Sequence, residues 1–340
     1  MIIINGINLS EYQISRLPIQ IEFSQYPGSI IYSSISEINL RNPPTDYLNP
    51  IYQYSPLYPL FGNYRLKIEM LDDEYNELKL NGFITNAIIS QAGEIKLFVE
   101  DQFQKLLEKT QVLADYEEKT PIEIAKLIIE SYGVEIDLNR YGLIKYWQEQ
   151  EGLIYDFKVN IADQIKFIDS INELCKAGFM RATIFLNKVY FIGIEIVDSY
   201  LEIYPQEIHN VPMQNQQVME YYGGGSIKWL AGEQKKIADY SKGLSEINLD
   251  YSGSGSLILI NGNGAESLLE LYSNQSVIGR YYDIDIDSRI ISKLKPGEMV
   301  QFLPPILHKT KSVYAQFIAR KSNEQTPYTL NCVFEVKKYG

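Results

Sequence analysis

The sequence predicts an α+β fold that is mainly β, with two β-barrel-like domains at residues 1–112 and 201–340 flanking a small α+β domain at 113–200. Three observations predict it. Short apolar segments of period two, punctuated by turn residues, fill the first third of the chain, as half-buried strands require. The period changes after Asp101, and a strong helix start follows at Thr120. From about residue 210 the strand pattern returns and continues to the last residues.

Ile2–Ile4 reads as a strand that stops at Asn5-Gly6, a pair suited to the left-handed positions of a tight hairpin, and Ile7–Leu9 follows. Ile19, Ile21 and Phe23 alternate with polar residues. Ile35–Leu40 alternates again and ends at Asn42-Pro43-Pro44. Between 43 and 60 stand five prolines and four tyrosines. That stretch is too polar for a core and too proline-rich for a sheet, so a long functional loop is expected. Proline lowers the ordering cost of binding. The candidate interface residues are therefore Pro43, Pro44, Tyr47, Tyr52, Tyr54 and Tyr58. Two hairpins are expected next, Tyr64–Leu71 with Glu77–Ile84, and Ala87–Ser90 with Ile95–Glu100.

Thr120-Pro121-Ile122-Glu123 is a capping box with proline at the first helical position. Ile124, Leu127 and Ile128 make the apolar stripe, and Tyr132-Gly133 ends it. A second helix is expected from about Asn160, with Asp163 near its N-terminus and Gly178 just past its C-terminus. Phe179–Phe185 and Val189–Ile196 then form a hairpin. Further on, Tyr222–Gly225 and Tyr251–Gly255 read as loops, Leu257–Ile260 as a strand and Ala265–Tyr272 as a helix. Val277–Asp287 is a strand, Leu294–Glu298 a tight turn into Met299–Leu303, and Ser312–Arg320 and Tyr328–Lys337 the final strands.

Composition narrows the function. Hydrophobic content of 45% and charged content of 22% are those of an ordinary folded protein. Tyrosine is abundant, at 27 residues against 13 Phe and 2 Trp. A flat ring with one polar tip suits surfaces that are buried only on assembly. Compositional bias from an AT-rich coding genome produces the same excess, and both readings stand. Formal net charge is −12, with the acidic excess concentrated in the first 200 residues and no basic block anywhere. Tight binding to a phosphate backbone is therefore not expected. The N-terminus lacks a basic region before its short apolar run, so no signal peptide is expected, and neither is membrane insertion. The chain is expected to be assembled in the cytoplasm.

Catalytic chemistry finds little to use. His209 and His308 have no second His or Cys nearby and no serine in a nucleophile elbow. The glycine runs at 223–225 and 261–264 lack the Lys-Ser/Thr that a phosphate loop needs. Asp283, Asp285 and Asp287 share one face of a strand, without the central Gly and closing Glu of a calcium loop. Cys175 and Cys332 fall in different domains, which excludes a disulfide framework. A spatial pair of carboxylates is the one enzymatic arrangement that a sequence leaves open. No enzyme, cofactor or metal is expected.

Three patterns in order carry a resemblance. They are Thr120-Pro121-Ile122-Glu123-Ile124-Ala125 through Tyr132-Gly133-Val134, then Phe167-Ile168-Asp169-Ser170-Ile171 through Ala177-Gly178-Phe179 into Val189-Tyr190-Phe191, and finally Leu294-Lys295-Pro296-Gly297-Glu298-Met299-Val300. In this arrangement the chain resembles the phage tail hub and baseplate hub family, which includes late control proteins and the hub part of type VI spike proteins. The resemblance implies a homotrimer in which each subunit brings two tube domains, here 1–112 and 201–340. Six barrels would form a ring between a six-fold tail tube and a three-fold spike or fibre. It implies a virion-tail location and, as partners, tail tube, tape-measure, distal tail or baseplate, and spike or fibre proteins. DNA would pass through without specific binding, and piercing or wall cutting would belong to a partner chain. The alternative is a tail-tip or fibre protein that binds a host receptor glycan.

Overall fold

A computed structural model describes residues 2–9, 20–21, 30–31, 33–34, 37–40, 53–55, 57–59, 65–71, 78–90, 94–102, 109–111, 115–159, 165–185, 188–193, 200–210, 217–220, 224–231, 234–241, 246–252, 256–274, 278–287, 290, 294–303, 312–321 and 329–339. The fold is α+β and mainly β.

The N-terminal sheet has six strands in the order 7–8, 2–4, 66–71, 78–89, 95–101, 37–40, all antiparallel. Its first turn is the expected one. Asn5 and Gly6 both take positive φ, 47° and 83°, as a two-residue hairpin that matches strand twist demands. Ile2, Ile4, Ile38, Leu40, Ile68, Ile84 and Leu97 meet in one core. The expected separate segments 77–84 and 87–90 are a single 12-residue strand, Leu78–Ile89. A register shift between Ile84 and Asn86 breaks the apolar alternation there, so one bulged strand reads as two. Of the expected strand around Ile19–Phe23, Gln20–Ile21 is described, paired with Ser33–Ser34.

The middle body holds three helices among the described residues: α1 (Pro121–Ser131), α2 (Tyr141–Gln150) and α3 (Phe167–Ala177). The capping box forms as read, with Thr120 Oγ1 accepting from the Glu123 amide and the Glu123 carboxylate accepting from the Thr120 amide. The second expected helix is α3, and it begins at Phe167 rather than near Asn160, because Ile165–Lys166 pairs as strand with Thr110–Gln111. Asp169, not Asp163, is the acid of its first turn. A four-stranded sheet, 135–136, 188–192, 181–185 and 30–31, packs beside the helices. Its last strand comes from the N-terminal third of the chain and runs parallel to Ala182–Thr183.

The middle core does not stop at residue 200. Ile122, Ile128, Phe167, Ile171 and Phe179 share it with Ile227, Trp229, Leu249 and Tyr251, and with Leu268 and Tyr272. Those later residues come from the three-stranded sheet 234–241, 224–231, 246–251 and from helix α4 (Gly262–Asn274). Gly224 and Gly225, expected in a loop, begin the strand Gly224–Ala231.

The C-terminal sheet has the order 201–203, 299–302, 313–321, 329–339, 278–287, 208–210, with 217–220 also paired to 278–287. Ile203, Ile284, Val300, Phe302 and Phe317 build its core. The chain thus enters this sheet at 201, leaves to place 224–274 on the middle body, and returns at Ile278.

Candidate assembly surfaces

Pro43, Pro44, Tyr47 and Tyr52 lie outside the described residues, whereas Tyr54 and Tyr58 lie within them. Leu57 is fully buried in the N-terminal core. Ser55 Oγ accepts from the Leu57 amide at 3.1 Å, and the Ser55 carbonyl accepts from the Tyr58 amide at 2.9 Å. This tight turn pins the segment by one apolar side chain and leaves the neighbouring rings outside: Tyr54 is 85% exposed and Tyr58 40%.

A second tyrosine surface stands on the C-terminal sheet. Residues Tyr200, Glu202 and Tyr204 alternate with Leu201 and Ile203, and Ile203 is buried in the core. Tyr200 meets Tyr314 edge-on, with ring centroids 5.3 Å apart. Gln301 Nε2 donates to the Tyr314 hydroxyl at 3.1 Å, and the Tyr204 hydroxyl donates to Glu202 at 3.0 Å. The Tyr314 phenol oxygen beside Tyr200, and the Glu202 carboxylate beside Tyr204, raise both phenols above their ordinary pKa. Sequence reading passed over these residues. The signal was the alternation Tyr-Leu-Glu-Ile-Tyr, which puts two rings and a carboxylate on one strand face.

The turn at 294–298 joins the C-terminal sheet to the middle body. Gly297 takes φ +91°, and a Cβ there would stand 3.1 Å from Arg140 Cδ. Lys295 Nζ lies 3.8 Å from Asp137, while the Lys295 amide donates to the Glu298 carboxylate and Gln316 Nε2 donates to the Gly297 carbonyl. The cleft between these loops is lined by Tyr190 and Phe191 and by charges of both signs, of which Lys295 and Asp137 pair.

Other chemistry-bearing residues stay apart. No group of three or more His, Cys, Asp or Glu that could hold a metal gathers among the described residues. Asp285 is buried and sits opposite Asn331 and Asn210 in the sheet. His209 is exposed in the short strand Ile208–Asn210, and His308 lies outside the described residues. Burial pushes the Cys175 thiol up to about 12, so it stays protonated and inert. No helix among the described residues is long and apolar enough to cross a membrane.

The tail protein from Neisseria meningitidis superposes with a TM-score of 0.57 at 10% identity, covering 99% of this chain and 95% of that one. This chain shares the fold of that tail protein. The tail-protein part of the resemblance read from the sequence is thereby borne out at the level of the fold. Weaker likenesses, each with a TM-score of 0.47 and 10% identity, extend to a prophage tail protein from Shewanella oneidensis, covering 95% of this chain and 98% of that one, and to one from Listeria monocytogenes, covering 98% and 93%. No protein-family model and no curated protein matches the sequence. The first tyrosine pair, Tyr54 and Tyr58, stands on a turn anchored to the N-terminal core by Leu57, and the second, Tyr200 and Tyr204, flanks an edge strand of the C-terminal sheet.

Proposed function

We propose that the chain is a non-catalytic structural subunit of a phage-like tail, a hub that works by assembling with copies of itself and with other tail chains. The observation that carries this reading is the full-length likeness to the Neisseria tail protein. Exposed tyrosines on both flanking bodies support it, Tyr54 and Tyr58 on a turn packed against the N-terminal sheet and Tyr200 and Tyr204 on the C-terminal sheet, since such rings are common at protein interfaces. On this reading the subunit is a homotrimer whose tube domains are 1–112 and, for the second, the sheet strands within 201–210 and 278–339. The segment 224–274 goes with the middle body, whose core it shares. Partners would be tail tube, tape-measure, baseplate and spike or fibre proteins, in the virion tail.

An acidic chain suits a channel through which DNA slides without sticking. Light scattering with negative-stain electron microscopy tests the reading. A trimeric ring with a central channel is expected, and a stable monomer at high concentration contradicts it. The second reading, a glycan binder, draws on the Tyr200, Glu202 and Tyr204 row, since aromatic faces beside a carboxylate suit sugar rings. Sugar binding by an isolated monomer would favour it.

A further inference from the structure

Resting on that ring-subunit reading, we propose that the tyrosine face of the C-terminal sheet is the docking surface for the Pro/Tyr segment of a second copy of this chain. The receiving face is already ordered. Glu202, Gln301 and Tyr314 are successive register partners across three strands, and Tyr200 and Tyr204 flank Glu202 on the same side. The ring contact between Tyr200 and Tyr314 and the hydroxyl bonds of Tyr204 and Tyr314 fix these side chains before anything binds, which lowers the entropic cost of docking. Even so, Tyr200 and Tyr204 remain 40% and 43% exposed. The strand Leu201–Ile203 is also an edge: among the described residues it pairs only with Met299–Phe302.

The inserting element has matching chemistry. Leu57 anchors it in its own subunit, and Tyr54 and Tyr58 point outward on either side of that anchor. From Tyr47 to Tyr64 the chain carries no charged side chain, although the whole carries −12. Two acidic copies repel over most of their surfaces, so contact is favoured where one partner brings no charge against Glu202. Proline and tyrosine rings pack on aromatic faces, the mode by which proline-rich segments are commonly recognised. Among the described residues, Tyr54 and Tyr58 stay exposed in the same subunit that exposes Tyr200 and Tyr204. Two different surfaces meeting this way give a head-to-tail junction, the kind that closes into a ring.

The test uses the full-length chain and two double variants at exposed positions, Tyr200→Ala with Tyr204→Ala, and Tyr54→Ala with Tyr58→Ala. Circular dichroism and melting first establish that both are folded. Light scattering then reads assembly. Each variant alone is expected to dissociate, with subunit affinity down at least about 100-fold, as for loss of two central aromatic anchors. An equal mixture of the two is expected to recover a dimer and no ring, since one intact junction survives between an intact segment and an intact face. A wild-type ring with variants that assemble unchanged overturns the docking and leaves the ring reading standing. A wild type that stays monomeric overturns both. A mixture that stays monomeric overturns the head-to-tail pairing. Neutral oligosaccharide binding that is lost in the Tyr200/Tyr204 variant, with assembly unchanged, assigns the face to a sugar and overturns it as well.

Discussion

Gln148 is a buried polar side chain that holds three helices at once. Its Oε1 accepts from the Ile122 amide in the first turn of α1, and its Nε2 donates to the Gly178 carbonyl at the end of α3. Gly178 takes φ −95°, so its lack of a side chain answers crowding and not a left-handed turn. A Cβ there would stand 2.5 Å from Gln148 Nε2 and 2.8 Å from Pro121 Cβ. Replacing Gln148 by Leu strands a buried donor and a buried acceptor, and a loss of about 2–5 kcal/mol in denaturant unfolding is expected. Glu123, partly buried in the first turn of α1, ties that helix to α2 through Lys145. Burial alone would raise its pKa, but hydrogen bonds from Lys145 and Thr120 outweigh that and hold it below 4.5. A depressed carboxylate contributes stability above its unfolded pKa and loses it as pH falls through the folded value. Glu123→Gln is therefore expected to lower the melting temperature at pH 7 and to matter progressively less as pH falls below about 4.5. Cys175 should resist a thiol-alkylating reagent at pH 8 in the folded chain and react on unfolding; brisk native-state alkylation would contradict its burial.

At the scale of elements, legibility followed local signal. The helix α1 was readable because its cap, its proline and its stripe all agree. The helix α2 was not read, for physical reasons. Arg140 at its N-cap makes no side-chain cap bond, and only Ile144 and Gln148 are buried, so it has no stripe. It is held instead from outside, by the Gln148 bonds and by the Lys145–Glu123 ion pair at 2.8 Å. The 294–298 turn was legible from Pro296-Gly297, and the structure adds its purpose as a joint. Gly297→Ala forces a left-handed non-glycine residue against Arg140. A cost of about 1–2 kcal/mol is expected in thermal unfolding, and Arg140→Ala alone should cost less.

For the whole molecule, charge and surface chemistry set the behaviour. A chain of net −12 with no basic block should show no measurable duplex DNA binding near physiological salt, with any Kd weaker than about 10⁻⁴ M in a mobility-shift assay. Micromolar binding would argue for a cationic lumen and against free passage of DNA. The abundance of tyrosine has two structural destinations. Tyr155, Tyr190, Tyr251 and Tyr272 are buried, and the Tyr272 hydroxyl donates to the Lys176 carbonyl at the end of α3. Tyr54 and Tyr58 face outward on a turn, and Tyr200 and Tyr204 on the edge of the C-terminal sheet. Composition alone does not separate the two sets, because a tyrosine ring suits a core as well as an interface.

The sequence by itself determined the class of fold, the Asn5-Gly6 hairpin, the cap of α1, the 294–298 turn and the absence of a phosphate-loop motif. Each is written in neighbouring residues whose backbone preferences act locally. Only the tertiary structure decided that 224–274 packs on the middle body, that Ile30–Ile31 joins a sheet more than a hundred residues away, and that Tyr200 and Tyr314 meet. Those outcomes depend on which apolar faces find each other across the chain, and a period of two or of 3.6 says that a face is apolar without naming its partner.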